Sequence, residues 1–179
     1  MLLQKTVNHL GLNHRQMLSE QTKNNKVTKS KQMGNSFTYS DSQILRILNS
    51  VKTIAIIGAS ITEKRTSHIL MKYLHGKGYR IIPINPNYSG KKILSEEVYP
   101  SLSECNQQID MVDVFLKNCQ ITEIAEESAL NKNRLKIKCL WTQLGLINLQ
   151  AHKIASAAGI EVIMDRCPKI EYSRLSKKY

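Results

Sequence analysis

From Ser40 onward the chain alternates two patterns of apolar positions. Short runs that are almost wholly apolar read as strands buried on both faces. They are expected at Thr53–Ile57, 79–85, 111–116, 137–142 and 160–164. Between them, apolar residues recur three and four positions apart, the spacing of one helical face. Such faces are carried by Ile44, Leu45, Ile47 and Leu48, in a helix capped by Ser40 or Asp41 and ending at Asn49 and Ser50. Another, over 67–76, carries Ile69, Leu70, Tyr73 and Leu74, with Gly76 and Gly78 to stop it. Further helices are expected over 121–131 and 149–158. The alternation predicts an α/β fold: a doubly wound, mainly parallel sheet of about five strands, Rossmann-like, in three α/β/α layers. No second domain and no internal repeat remains after that count.

Residues 1–38 break the pattern. They are rich in Asn, Gln, Lys, Ser and Thr, and residues 1–40 hold six Lys/Arg against Glu20. A basic extension, disordered or partly helical, is expected there, with the folded domain over 39–179. A transit peptide for an organelle, or a true start at Met33, fits the same residues. The net charge of +12 calls for anionic partners. No basic stripe interleaved with aromatics and no zinc-finger spacing accompanies it, so no nucleic acid is expected on the folded domain and a phosphorylated small molecule explains the charge as well. No apolar run approaches the roughly 20 residues that span a bilayer. Cys105, Cys119, Cys139 and Cys167 lack C-x-x-C spacing and read as reduced thiols of a cytoplasmic protein. No cluster has metal-ligand spacing.

Candidate chemistry follows from where the strands end, because ligands of open parallel sheets bind beyond the carboxyl ends. The first strand runs into Gly58-Ala59-Ser60. A tight glycine turn, exposed amides and a helix N-terminus make an anion site there, with Lys64 and Arg65 offered to a pyrophosphate or left as a surface pair. The turn is not G-x-G-x-x-G, since Ser60 and Glu63 stand where later glycines would fall. The second strand ends at Asn85-Pro86, where a dinucleotide enzyme places an acid for the ribose hydroxyls. NAD(P) is therefore disfavoured. Lys91 and Lys92 follow, suited to a 3′-phosphorylated ribose or else solvated. Gln143 and Gly145 follow the fourth strand, with Gly145 read as allowing close backbone approach. Asp165, Cys167 and Pro168 follow the fifth. Arg166 and Lys169 would lower the Cys167 thiol pKa if close in space. Asp165 offers an acid or base, or a salt bridge to either cation. His68, His75 and His152 fall on helices and build no catalytic site.

These strings resemble a family. Ile-Ile-Gly58-Ala-Ser60 with Arg65, Gly78-Tyr-Arg-Ile-Ile-Pro-Ile-Asn85-Pro86, Met111-Val-Asp113-Val-Phe115, Trp141-Thr-Gln143-Leu-Gly145 and Asp165-Arg-Cys-Pro-Lys-Ile-Glu-Tyr172 are similar to the small stand-alone CoA-binding domain proteins of the YccU type. That family shares the Rossmann-like domain of the succinyl-CoA synthetase α subunit. The resemblance covers residues from about 40 to 175 and implies coenzyme A or an acyl-CoA as ligand. It puts pyrophosphate at Gly58–Ser60 and adenosine near Asn85-Pro86. Ile61-Thr-Glu63-Lys64 departs from the proline often found in that loop, which bears on loop shape. The synthetase domain that carries the phosphorylated histidine is missing, so synthetase chemistry by this chain alone is not implied. The expectation is a non-catalytic binding or regulatory module. An enzyme using Cys167 or Asp165 on a CoA thioester or thiol is the alternative, and NAD(P) binding a further one. An exposed sheet edge invites a homodimer or another protein partner.

Overall fold

The computed structural model describes residues 37–176. The expectation for the basic extension therefore lies, Phe37 and Thr38 apart, outside the described residues. Helix α1 (Asp41–Ser50) starts where the sequence placed it, with the Ser40 hydroxyl accepting from the Gln43 amide at 3.1 Å. Then come β1 (Thr53–Ile57), α2 (Thr66–His75), β2 (Arg80–Ile84), β3 (Lys92–Ile93), β4 (Glu96–Glu97), β5 (Met111–Val114), α3 (Ile121–Leu135), β6 (Cys139–Thr142), α4 (Leu149–Ala157), β7 (Glu161–Ile163) and α5 (Pro168–Leu175).

Five strands form one sheet in the order β2-β1-β5-β6-β7, every neighbouring pair parallel. The strand order reverses between β1 and β5, which puts the topological switch point beside Gly58. Side chains alternate across the sheet. Ile54, Ile56, Met111, Trp141 and Ile163 face α1, α2 and α5, where they meet Ile44, Ile47, Leu70, Leu74 and Leu175. Ala55, Ile57, Val112, Val114, Leu140 and Val162 face α3 and α4, against Ile121, Ala125, Leu135, Ala151 and Ala155. Each fully buried aliphatic side chain contributes about 1.5–3 kcal/mol relative to exposure, so both faces hold the sheet. The doubly wound three-layer expectation is met.

Three elements escaped the sequence reading. The stretch after Pro86, read as turns, holds a 3-10 turn (Pro86–Tyr88) and the hairpin β3–β4, joined by Leu94 and Ser95 at φ +51° and +70°. Helix α3 runs on to Leu135, past the 131 expected from the pattern. Helix α5 was not expected at all; Pro168 opens it at the first turn and it packs on α1 and α2. Both sheet edges are partly covered. Tyr99 bonds along β2, its amide donating to Pro83 O at 3.0 Å and its carbonyl accepting from Asn85 at 2.9 Å. At β7 the Met164 amide donates to the Tyr39 hydroxyl at 2.8 Å, and Phe37 stacks on His152 at 5.3 Å. No helix among the described residues is long and apolar enough to cross a membrane.

Candidate functional site

Three strand ends meet at an open cleft of about 340 Å³. Gly58, Ser60, Arg65, Thr66, Ser67, Asn85, Tyr88 and Phe115 line it. Gly58 is required twice over. Its φ is +83°, and a Cβ there would stand 2.7 Å from the Phe115 carbonyl oxygen of the loop after β5. The glycine thus lets β1 and β5 close together at the switch point.

The turn does not present all its amides. Gly58 N and Ala59 N donate to Ile84 O at 2.9 and 3.2 Å, extending the β1–β2 ladder past its last residue. Amides left for a ligand would therefore be those further along. Thr66, Ser67 and His68 occupy the first turn of α2, where amides have no intrahelical acceptor and carry the positive end of the helix dipole. Thr66 and Ser67 open onto the cleft, and Arg65, the helix's N-cap residue, adds a guanidinium. Among the described residues no carboxylate lines the cleft. Hydroxyls, amides and one cation suit a diphosphate, and would repel nothing on it.

Two side chains fix the turn. Asn85 donates through Nδ2 to Ala59 O at 2.8 Å and accepts at Oδ1 from Asn87 N at 3.0 Å. His68 Nδ1 lies 2.8 Å from Ser60 O. A carbonyl only accepts, so His68 carries a proton at Nδ1. Ser60 Oγ accepts from Thr62 N at 3.1 Å. Asn85 thus acts first as a brace between β2 and the turn, with its remaining amide hydrogen available to a ligand.

Of the residues expected from sequence, Gly58, Ser60, Arg65 and Asn85 are brought together in the cleft. Ala59 is buried and contributes backbone only. Pro86 opens the 3-10 turn beside it. Lys64 is exposed on the loop and does not line the cleft. Lys91 does not line it either; its Nζ stands 5.8 Å from the centroid of the Tyr88 ring, which does. Thr66, Ser67, Tyr88 and Phe115 were not foreseen; the signal available was a helix start for Thr66 and Ser67, the place just past β5 for Phe115 and the turn opened by Pro86 for Tyr88.

Gln143, Gly145, Cys167 and Pro168 belong to a second group of loops, beyond β6 and β7. None of the four is among the residues lining the cleft, although Gln143 Nε2 reaches Asp113 of β5, the strand next to β1. Gly145 has a φ of +75°, and a Cβ there would meet no atom of the described residues within 4 Å. Its amide donates to Asp165 Oδ1 at 2.7 Å, and Trp141 Nε1 donates to Arg166 O at 2.8 Å, which locks the two loops together. Asp165 also faces Arg166 at 3.9 Å, as a salt bridge. Cys167 is half-buried against the core. The cations expected beside it are engaged elsewhere: Arg166 with Asp165 O, Phe37 O and Glu171, and Lys169 over the Tyr73 ring at 5.3 Å.

Beneath these loops sits a buried carboxyl that the sequence reading used only as part of a motif. Asp113, in β5, is completely buried; its Oδ1 accepts from Gln143 Nε2 at 2.6 Å and its Oδ2 has no partner. Burial outweighs the hydrogen bonds from Gln143 and Val114 and pushes its pKa up to about 7. Among the described residues, no group of three or more His, Cys, Asp or Glu is placed to hold a metal ion.

The fold and cleft define a Rossmann-like α/β domain with a glycine turn at its switch point. The chain belongs to the CoA binding domain family, whose model matches residues 52–173. It is 35% identical over 134 residues to the uncharacterized protein YneT of Bacillus subtilis, covering 75% of this chain and 95% of that one. It is 28% identical over 127 residues to an ADP-forming acetate–CoA ligase of Methanocaldococcus jannaschii, covering 69% of this chain but 18% of the ligase. A hypothetical protein from Pyrococcus horikoshii OT3 superimposes with a TM-score of 0.71 at 34% identity, over 77% of this chain and 93% of that protein.

Proposed function

We propose that this chain binds coenzyme A or an acyl-CoA in the cleft, as a binding or regulatory module of the cytoplasm without catalysis of its own. The observation that carries the reading is the donor set: Ser60, Thr66, Ser67 and Arg65 at a helix N-terminus, with no acid among the lining residues. The diphosphate would lie against the first turn of α2, paired with Arg65. The adenosine would lie toward Asn85 and Tyr88, and Lys91 would meet the 3′-phosphate. Membership of the family supports the ligand class. Against NAD(P) stands Asn85, which occupies the ribose-acid position and is committed to Ala59 O. Against an enzyme built on Cys167 or Asp165 stands the engagement of both residues' charged neighbours within the protein, and neither residue lines the cleft.

Calorimetric titration of the full chain and of Arg65→Ala with CoA tests the reading. Losing one charge-assisted contact should weaken binding by about tenfold at unchanged fold. Equal affinity in the two proteins would remove Arg65 from the site and the diphosphate with it.

A further inference from the structure

We infer that His68 is a positioning residue for the anion-binding turn: its ring holds the Ser60 carbonyl away and thereby aims the Ile61 amide for a ligand diphosphate. The inference rests on the reading of the cleft as a diphosphate site.

The C=O and N–H of a trans peptide unit point in opposite directions. Asn85 Nδ2 takes Ala59 O at 2.8 Å, and His68 Nδ1 takes Ser60 O at 2.8 Å. Two successive peptide units are therefore pinned by their carbonyls, and the amides of Ser60 and Ile61 project the opposite way from those two side chains. The amides one step earlier, on Gly58 and Ala59, are already spent on Ile84 O. Ser60 and Ile61 thus supply the turn's free donors next to the α2 N-terminus. Ser60 Oγ, accepting from Thr62 N, closes the same loop from the other side.

His68 is suited to this task by where it stands. It sits in the first turn of α2, half-buried, so one rigid element sets both the helix dipole and the direction of the turn. It is not itself among the residues lining the cleft, whereas Asn85 is. A change at His68 therefore reaches the ligand only through the loop, which makes it the cleaner probe of the two.

The test uses the full 179-residue chain with three probes: CoA, ADP and adenosine. His68→Phe keeps a ring of similar size and removes the donor. His68→Asn returns an N–H close to the place of Nδ1. Removing one half-buried hydrogen bond should weaken CoA and ADP alike by about 3- to 10-fold in His68→Phe, leave adenosine unchanged, and be reversed in His68→Asn. Thermal melting of each variant shows whether the fold is kept. If the wild-type chain binds CoA and His68→Phe binds it equally well, the inference fails while the proposed ligand stands. If His68→Phe weakens all three probes and His68→Asn restores none, His68 is merely structural and the inference fails again. If the wild-type chain binds neither CoA nor ADP, the reading of the cleft fails first and this inference falls with it.

Discussion

Asp113→Asn should gain stability relative to the natural protein as pH rises from 5 to 8. The Asp113 carboxyl is completely buried, with Oδ2 unpartnered, and its pKa rises from 3.8 to about 7 on folding. The folded protein therefore holds this proton more tightly than the unfolded chain does. Below about pH 4 both states are protonated and the contribution is full. As pH rises from 4 towards 7 the unfolded chain releases its proton first, and stability falls; above about 7 the loss is complete. Over three pH units the linkage amounts to about 4 kcal/mol, of which about 3 kcal/mol falls between pH 5 and pH 8. Asn is neutral throughout, so the variant lacks this slope. It keeps an oxygen for Gln143 Nε2 but buries an amide N–H where Oδ2 stands, a pH-independent cost of about 1–3 kcal/mol. Relative to the natural protein the variant should gain about 3 kcal/mol between pH 5 and pH 8 and be the more stable one at pH 8. Urea unfolding of both proteins across that range gives the difference directly. Taking the difference also removes the opposite contribution of Asp110, Glu96 and Glu161, whose pKa values are held low by their cationic partners and backbone donors and which stabilise as pH rises. Parallel curves for the two proteins would refute the reasoning, because they would mean that Asp113 ionises alike in both states.

Gly58→Ala should cost about 3 kcal/mol or more in unfolding free energy and abolish CoA binding, since it strains a left-handed residue and drives a Cβ into Phe115 O; denaturant melts check it. Lys91→Ala should weaken CoA several-fold while leaving dephospho-CoA unaffected, as read by paired titrations, if its ammonium meets the 3′-phosphate beside Tyr88. Tyr39→Phe should destabilise by about 1 kcal/mol in thermal melts, because the Met164 amide at the sheet edge loses its acceptor.

The sequence disclosed the sheet well because its strands are buried on both faces, so their apolar runs have few alternative readings. Thr53–Ile57 appears as expected to the residue, and the α1 cap at Ser40 was written in a hydroxyl followed by an apolar face. Helix α5 was hidden because Pro-Lys-Ile-Glu-Tyr-Ser-Arg-Leu turns only Pro168, Glu171 and Leu175 fully inward, and one of those is charged; Glu171 is held by Arg174 at 2.6 Å, a partner that periodicity does not reveal. The hairpin β3–β4 was hidden because it turns on Leu94 and Ser95 in left-handed conformation without the glycine that marks such turns. At the site, Gly58 and Asn85 were legible from their place at strand ends. What Asn85 does was not, since its bond to Ala59 O crosses between strands 26 residues apart. Nor was His68, whose role exists only once α2 returns against the turn. The group around Gln143 and Cys167 was placed with the ligand by the same strand-end rule. That rule selects an edge of the sheet, and the cleft occupies only the part of it around β2, β1 and β5.

The central claim is that the cleft selects coenzyme A over dinucleotides. The most direct measurement is calorimetric titration of the full chain with CoA, NAD and NADP at one moderate salt concentration. Saturable CoA binding is expected, with NAD and NADP weaker by about tenfold or more for want of the ribose acid and the glycine-rich turn. NAD or NADP binding as tightly as CoA, or a chain that leaves CoA unbound, would contradict it.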